Sequence, residues 1–166
     1  AGAVCALIQS NNGKLYRATY LGGLSYYLGD PGAGTIFSFS TDSNVFTTLF
    51  DFDLNNDNGA FPGSGFVQAG NGKLYGMTSG GGAAGYGTIF SFDPSSNLQT
   101  RLLSFNLTNG GTPNHSLIQA TNGKLYGTAS GGTDQRGILF SFDPATNAQV
   151  DLNDFKSQNG YGPAGG

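Results

Sequence analysis

The string NGKLY at residues 12–16, followed by GTIFSF at residues 34–39, decides how this chain folds, because both strings occur three times. The later copies are NGKLY at 71–75 and 122–126, GTIFSF at 87–92 and GILFSF at 137–142. A module that returns every 50 to 59 residues is typical of a stacked or radial array of one supersecondary unit. We therefore expect one repeat domain, not three unrelated domains.

The composition fits an array rich in turns. Glycine contributes 29 of the 166 residues, only 10% of residues are charged and tryptophan is absent. The 13 Phe and 8 Tyr recur at fixed places in the modules, which predicts a packed aromatic core and not a disordered glycine-rich tract. A net charge of -3 with scattered basic residues argues against nucleic-acid binding, and no apolar run is long enough to insert into a membrane.

Each module contains signals for four strands, here called a to d. Asn-Gly between two apolar runs predicts that residues 7–9 pair with 14–16 through a type I′ turn. Residues 87–92 are expected to form strand c, and strand d is expected near residues 100–105. Asp93-Pro94 suits the turn between them, because proline presets φ and aspartate binds the backbone beyond it.

Four short strands in about fifty residues correspond to one blade of a β-propeller. The predicted fold is all-β, with three four-stranded antiparallel blades that form an incomplete propeller or repeat array completed by other copies. The single domain covers 1–166, with blade 1 at about 6–61, blade 2 at about 62–112 and blade 3 at about 113–163.

The string L-I-Q-A-x-N-G-K-L-Y-G-x-x-S-G-G, followed by G-x-x-F-S-F-D-P, resembles the GloVer-type tandem repeat of large secreted bacterial proteins and is similar to kelch blades. The resemblance covers residues 6 to 163 and implies propeller blades of mostly unassigned role. The first repeat departs from the pattern, since Ser40-Thr41 replaces Asp-Pro and Arg17 replaces the glycine of the other copies. At this glycine, Gly76 and Gly127 in the later copies, we expect the backbone to be approached closely.

Three blades are fewer than the four or more that close a propeller. We therefore expect the first and last blades to expose aromatic-rich faces that a soluble monomer does not normally tolerate. Head-to-tail association with copies of itself would cover them, in a closed ring or an open filament. A piece of a longer array is the other interpretation. The predicted function is a non-catalytic extracellular or cell-surface module for self-assembly or adhesion.

The long b-to-c loop of the first repeat supplies the alternative function. Tyr26, Tyr27 and Asp30 lie in this loop, and Arg17 precedes it. Aromatic rings beside a carboxylate are groups with which lectins stack and hydrogen-bond sugars, so these residues are the predicted glycan site. The competing interpretation is a loop folded over the blade edge with its tyrosines buried.

A weaker pattern concerns calcium. Asp51, Asp53, Asn55 and Asp57 alternate as in the first half of a Ca²⁺-binding loop, although the glycine and the final glutamate of such loops are missing. An Asx-rich turn accounts for the same residues. No other cofactor is predicted.

The remaining candidates are single residues. Cys5, the sole cysteine, is either a small buried residue or a bridge between two chains. Asn106 and Asn114 lie in N-x-[ST] sequons, which matter only if the source glycosylates secreted proteins. His115 is the sole histidine and lacks a second titratable cluster, which makes an enzyme a distant alternative.

Overall fold

Three antiparallel sheets follow one another along the chain in the computed structural model, which describes residues 6–24, 32–54, 57–113 and 115–163. Within these ranges there are twelve strands and no α-helix. Each sheet takes four consecutive strands in chain order. Blade 1 contains β1 (Ile8–Gln9), β2 (Leu15–Thr19), β3 (Thr35–Ser40) and β4 (Val45–Asp51). Blade 2 contains β5 (Val67–Gln68), β6 (Leu74–Thr78), β7 (Thr88–Asp93) and β8 (Leu98–Ser104). Blade 3 contains β9 (Ile118–Gln119), β10 (Leu125–Ala129), β11 (Ile138–Asp143) and β12 (Ala148–Asp154).

The strand assignments from sequence are confirmed, but the predicted type I′ turn is wrong. In the first hairpin Gly13 has a positive φ of 82°, whereas Asn12 does not. The Ser10 N–H donates to Lys14 O (3.0 Å), so the loop is longer than two residues. Asn12 instead uses its side chain: Oδ1 accepts from the Lys14 N–H (3.1 Å), and Nδ2 donates to the Tyr16 hydroxyl (2.9 Å). The asparagine therefore stabilises a glycine-bulge loop in which one residue needs positive φ.

The c-to-d turn follows the sequence prediction. Asp93 accepts hydrogen bonds from the Ser95 hydroxyl (2.6 Å) and the Ser95 N–H (2.9 Å), and both bonds lower the pKa of this carboxyl group. Asn97 completes the turn with a φ of 57°. Asparagine tolerates this left-handed conformation better than most residues, which explains its place at the end of the turn.

The blades are held together by apolar side chains that meet between neighbouring sheets. Ring centroids of Phe52 in blade 1 and Phe90 in blade 2 lie 5.3 Å apart, and those of Phe105 in blade 2 and Phe140 in blade 3 lie 5.6 Å apart. Both pairs have edge-to-face geometry, which is favourable for aromatic rings. Blade 2 is thus covered on both sides, and strand β6 is buried along its whole length.

A glycine in strand b allows this packing in blades 2 and 3. A Cβ on Gly76 would lie 2.8 Å from Phe90 Cζ and 3.0 Å from Phe66 Cε1, and Gly127 meets Phe140 and Leu117 in the same way. The close neighbours are side chains and not the approaching backbone that the sequence led us to expect. In blade 1 the corresponding residue is Arg17, opposite Phe37 in the sheet.

The connections between blades lie beside the b-to-c loops. The Phe61 N–H donates to Ala33 O (2.7 Å) in the loop of its own blade, and the Ala60 N–H donates to Gly80 O (2.8 Å) in the next blade. The Thr112 N–H to Tyr86 O (2.8 Å) and the Gly111 N–H to Ser130 O (2.7 Å) repeat this arrangement one blade later. Each connection therefore joins two blades by backbone hydrogen bonds as well as by chain continuity.

Candidate functional site: the outer blade faces

The side of blade 1 that faces away from blade 2 is formed by the repeat positions that are buried between sheets in blades 2 and 3. In blade 1 no sheet among the described residues covers them. Phe46 is 59% exposed, whereas Gln99, its counterpart in blade 2, is 8% exposed. Leu7 is 49% exposed, whereas Leu117, its counterpart in blade 3, is 2% exposed. We call this surface the first-blade outer face, formed by Leu7, Leu15, Arg17, Phe37, Phe39 and Phe46.

The side of blade 3 that faces away from blade 2 is the second open surface. Ile118 is 64% exposed, whereas Val67, at the same position in blade 2, is half-buried against the neighbouring core. This face is more polar than its interior counterparts, because Thr128 stands in place of Met77 and Asn153 in place of Leu103. We call it the third-blade outer face, formed by Ile118, Tyr126, Thr128, Leu139, Asn153 and Phe155.

The predicted glycan-site residues are only partly described. Tyr26, Tyr27 and Asp30 lie outside the described residues. Arg17 is half-buried in β2, in the middle of the strand, and thus belongs to the first-blade outer face. The described part of the long loop contains Tyr20, whose ring stacks on Phe61 with centroids 5.4 Å apart.

The residues of the predicted calcium site have different positions. Asp51 ends β4, and its Oδ1 lies 2.7 Å from the point that a Cβ on Gly23 would occupy. Ser104 and Asp154 lie in the same way beside Gly82 and Gly132. The contact of Asp51 with Gly23 is therefore a feature of every repeat and not of the predicted calcium loop alone. Asp53 and Asp57 follow in the connection, and Asn55 is outside the described residues. Calcium binding stays a prediction.

The single-residue candidates also remain predictions. Asn106 is exposed, and its Oδ1 accepts from the Asn109 N–H (3.0 Å). Asn114 and Cys5 lie outside the described residues. His115 lies in the connection between blades 2 and 3, and its Nε2 is 3.0 Å from Pro163 O, which follows the last strand of blade 3. Among the residues with described structure, no group of three or more His, Cys, Asp or Glu side chains could hold a metal ion. The same residues contain no helix long and apolar enough to cross a membrane.

The strand-a glutamines of blades 2 and 3 make a contact between blades that sequence spacing alone did not reveal. Gln68 Oε1 accepts from the Asn11 N–H of blade 1 (3.1 Å), and Gln119 Oε1 accepts from the Gly70 N–H of blade 2 (3.1 Å). The Nε2 of each carboxamide donates back into its own hairpin, to Gly72 O (2.8 Å) and to Gly123 O (3.0 Å). Each carboxamide thus links its own hairpin to the preceding blade and fixes their relative register.

A groove of about 330 Å³ lies between the hairpins of blades 2 and 3. Three of its polar side chains already have partners in the fold: Asn71 and Asn122 bond the tyrosine hydroxyls of their own blades, and Asp143 accepts from the Ala145 N–H. Gln119, also in the wall, makes the contact between blades described above. The groove is therefore a consequence of hairpin packing, and four of the polar side chains in its wall already bind other parts of the fold.

A second amide contact between blades differs between the two interfaces. Gln149 Nε2 donates to Asn109 O (2.7 Å), and Asn109 Nδ2 donates back to Gln149 Oε1 (3.2 Å). Gln99 Nε2 donates to Asn58 O (3.2 Å), but the buried Gln99 Oε1 has no hydrogen-bond partner within the described parts of the chain.

This difference predicts unequal effects of one substitution. Gln149→Leu should lower the free energy of unfolding by about 1–3 kcal/mol, because it leaves polar groups of Asn109 without their partner. Gln99→Leu should change it by less than about 1 kcal/mol, since it also removes an unsatisfied buried oxygen. Urea denaturation of the two variants measures the difference. Equal losses would contradict the predicted difference between the two interfaces.

Asp151 gives the structure a pH dependence. Partial burial raises the pKa of this carboxyl group, Asp154 raises it further, and the hydrogen bond from Gln149 Nε2 (2.8 Å) opposes the rise. Because the pKa is raised in the folded state, the contribution of Asp151 to the free energy of unfolding is fully present below about pH 4, the pKa of the unfolded chain. This contribution is lost as the pH increases through the folded pKa.

We expect Asp151→Asn to stabilise the chain at pH 7 by less than about 1 kcal/mol, because the group is largely exposed and Asn keeps an acceptor for Gln149. At about pH 3 the variant should melt with the wild type. Thermal unfolding at both pH values measures this. A gain of equal size at pH 3 would show that the charge is not responsible.

The fold and its two open faces define the class of protein: a tandem-repeat β protein of propeller-type blades that does not close within the described residues. The chain belongs to the Gloeobacter/Verrucomicrobia repeat family, whose profile matches residues 2–166.

Comparison with solved structures finds a protein with a similar fold. The chain is similar to part of the crystal structure of the tricorn protease, with a TM-score of 0.54 and 17% sequence identity. The alignment covers 91% of this chain and 13% of that protein. At this identity the similarity concerns the fold alone. A search of curated proteins gives no match.

Proposed function

We propose that this chain is a non-catalytic repeat module that assembles head to tail with copies of itself through its two outer blade faces. The observation that supports this most is the contrast between Phe46, largely exposed, and Gln99, buried at the same position of a covered blade. An exposed aromatic ring at a repeat position that is buried in the covered blade indicates that another sheet packs against this face.

The two faces are suited to each other because they continue the internal order of blades. Within the chain, the blade 2 side that carries Tyr75 and Phe105 packs on the blade 3 side that carries Leu125 and Phe140. The third-blade outer face corresponds to the blade 2 side of this interface, and the first-blade outer face corresponds to the blade 3 side. Such heterologous contacts give a ring when the rotation closes and a filament when it does not.

One added charge tests this assembly. Phe46→Asp should weaken self-association at least about tenfold, because it would place an unpaired carboxylate in a covered face. Val45→Asp is the matched control: its counterpart Leu98 remains 62% exposed although blade 2 is covered on both sides. Sedimentation equilibrium of both variants and the wild type gives the dissociation constants. Equal constants for the two variants would contradict assembly through this face.

We also propose an extracellular or cell-surface location, with adhesion as the biological role. The support is the resemblance of the repeat string to repeats of large secreted bacterial proteins. Protease treatment of intact source cells tests it, since a surface protein should be cleaved while a cytoplasmic marker is spared. Survival of the protein until the cells are lysed would contradict the location.

Glycan binding is the second proposed function. It is supported by Tyr20, an exposed ring held by its stacking on Phe61 in the described part of the long loop. A glycan array should show binding by the wild type that Tyr20→Ala and the pair Tyr26→Ala and Tyr27→Ala reduce. Repeating the array with calcium and with chelator tests the metal proposal. No wild-type binding in either condition would reject this function.

A further inference from the structure

Strand a of each blade contains one glutamine, and Gln9, Gln68 and Gln119 form a row across the blades. This row indicates how two copies join, an inference that rests on the proposed self-assembly. Two contacts of the row lie inside the chain: the Asn11 N–H to Gln68 Oε1 and the Gly70 N–H to Gln119 Oε1, each 3.1 Å. The same geometry at both internal interfaces makes it a property of the repeat and not an accident of one pair of blades.

The two ends of the row lie at the outer faces. At blade 1, Gln9 Nε2 donates to Gly13 O (3.2 Å), the contact that Gln68 and Gln119 also make with their own hairpins. Gln9 Oε1 has no hydrogen-bond donor among the described residues. At blade 3, Thr121 has the position of Asn11 and Gly70, and its N–H lacks an acceptor in the described part of the chain. One end offers the acceptor and the other offers the donor.

The two faces also differ from the internal interfaces in a complementary way. Arg17 adds a large cation where blades 2 and 3 have glycine, and this would clash in the interior, where Phe90 fills the space over Gly76. On the opposite face, Asn153 replaces the leucine of blade 2 beside Phe155, the counterpart of Phe105. An amide oxygen and an aromatic ring are both favourable neighbours for a guanidinium group.

We infer that copies join as a third instance of the internal interface: the carboxamide of Gln9 in one copy binds the backbone N–H of Thr121 in the next, and Arg17 lies against Phe155 and Asn153. The polar residues at both ends then serve one interface. These polar residues fix the register of the interface between copies. They also make binding of another copy more favourable than binding of an entirely apolar blade.

Crosslinking tests the register. In a Cys5→Ser background, a chain with Gln9→Cys and a chain with Thr121→Cys are mixed and treated with a short bismaleimide. We expect a covalent dimer in the mixture and none with either chain alone, because head-to-tail contact brings residue 9 of one copy to residue 121 of the next. Both positions are exposed, so the variants should fold, which circular dichroism checks.

The Arg17 contact has its own test. Asn153→Asp should tighten self-association about threefold, since it pairs a carboxylate with the guanidinium group. Ser96→Asp, on the exposed c-to-d turn of blade 2, adds the same charge away from the join and should not tighten it. The gain from Asn153→Asp should disappear in an Arg17→Gly background, a result that a general charge effect would not produce.

The outcomes separate the two proposals. A wild-type chain that remains monomeric would overturn self-assembly and this inference together. A wild type that associates without the mixed crosslink would overturn the register and leave self-assembly in place. A mixed crosslink without tightening by Asn153→Asp would overturn the Arg17 contact. The mixed crosslink with that tightening supports the whole inference.

Discussion

Gly76→Arg is expected to lower the free energy of unfolding by at least about 3 kcal/mol, although Arg17 occupies the same position of blade 1 in the natural sequence. A Cβ alone would lie 2.8 Å from Phe90 Cζ and 3.0 Å from Phe66 Cε1. Phe90 is fully buried between two blades, so its ring cannot move aside. The guanidinium group would in addition be placed in an apolar interface without a partner.

Arg17→Gly is the matched control for this experiment. It should change the free energy of unfolding by less than about 1 kcal/mol, the usual cost of glycine in a strand. Urea denaturation at a protein concentration low enough to avoid association compares the two variants. A Gly76→Arg chain as stable as the wild type would mean that blades 1 and 2 do not pack as described.

Phe90→Ala should destabilise the chain by about 3–5 kcal/mol, because it removes a fully buried ring and leaves a cavity between blades 1 and 2. The ring contacts Phe52 across the interface and Phe66 within its own blade, with centroids 5.3 Å and 6.0 Å away. The loss therefore affects packing within a blade and between blades. Denaturation monitored by circular dichroism measures it.

Phe46→Ala is the comparison for Phe90→Ala. Phe46 pairs with Phe37 at a centroid distance of 4.9 Å but is largely exposed, so its removal should cost less than about 1.5 kcal/mol of folding stability. The same variant should weaken self-association. If Phe46→Ala destabilised the isolated chain as much as Phe90→Ala, the first-blade outer face would be covered by the chain itself.

The repeat strings were sufficient to predict the blades and most strand positions. NGKLY and the later G-x-x-F-S-F specify a strand b and a strand c, and Asp93-Pro94 specifies the turn after them. These features are local, since each depends on residues a few positions apart. Glycine at residues 76 and 127 was also recognised as a site of close approach, although the approaching atoms belong to phenylalanine and leucine side chains and not to the backbone.

The contacts between blades were harder to predict. Gln68 and Gln119 recur at a fixed distance from NGKLY, which is a signal. Sequence spacing does not show that their Oε1 atoms reach residues of the preceding blade that lie 57 and 49 positions earlier in the chain. The turn type was missed because Asn12 acts through its side chain and not through a positive φ. Likewise, only the sheet register shows that Arg17 belongs to an outer face and not to the long loop.

The molar mass of the wild-type chain over a series of concentrations tests the central claim most directly, because that claim is that two interior-type faces are left for other copies to cover. Light scattering should show a weight-average mass that rises above 17.1 kDa as the concentration increases. A constant mass of 17.1 kDa up to the highest soluble concentration would contradict the account.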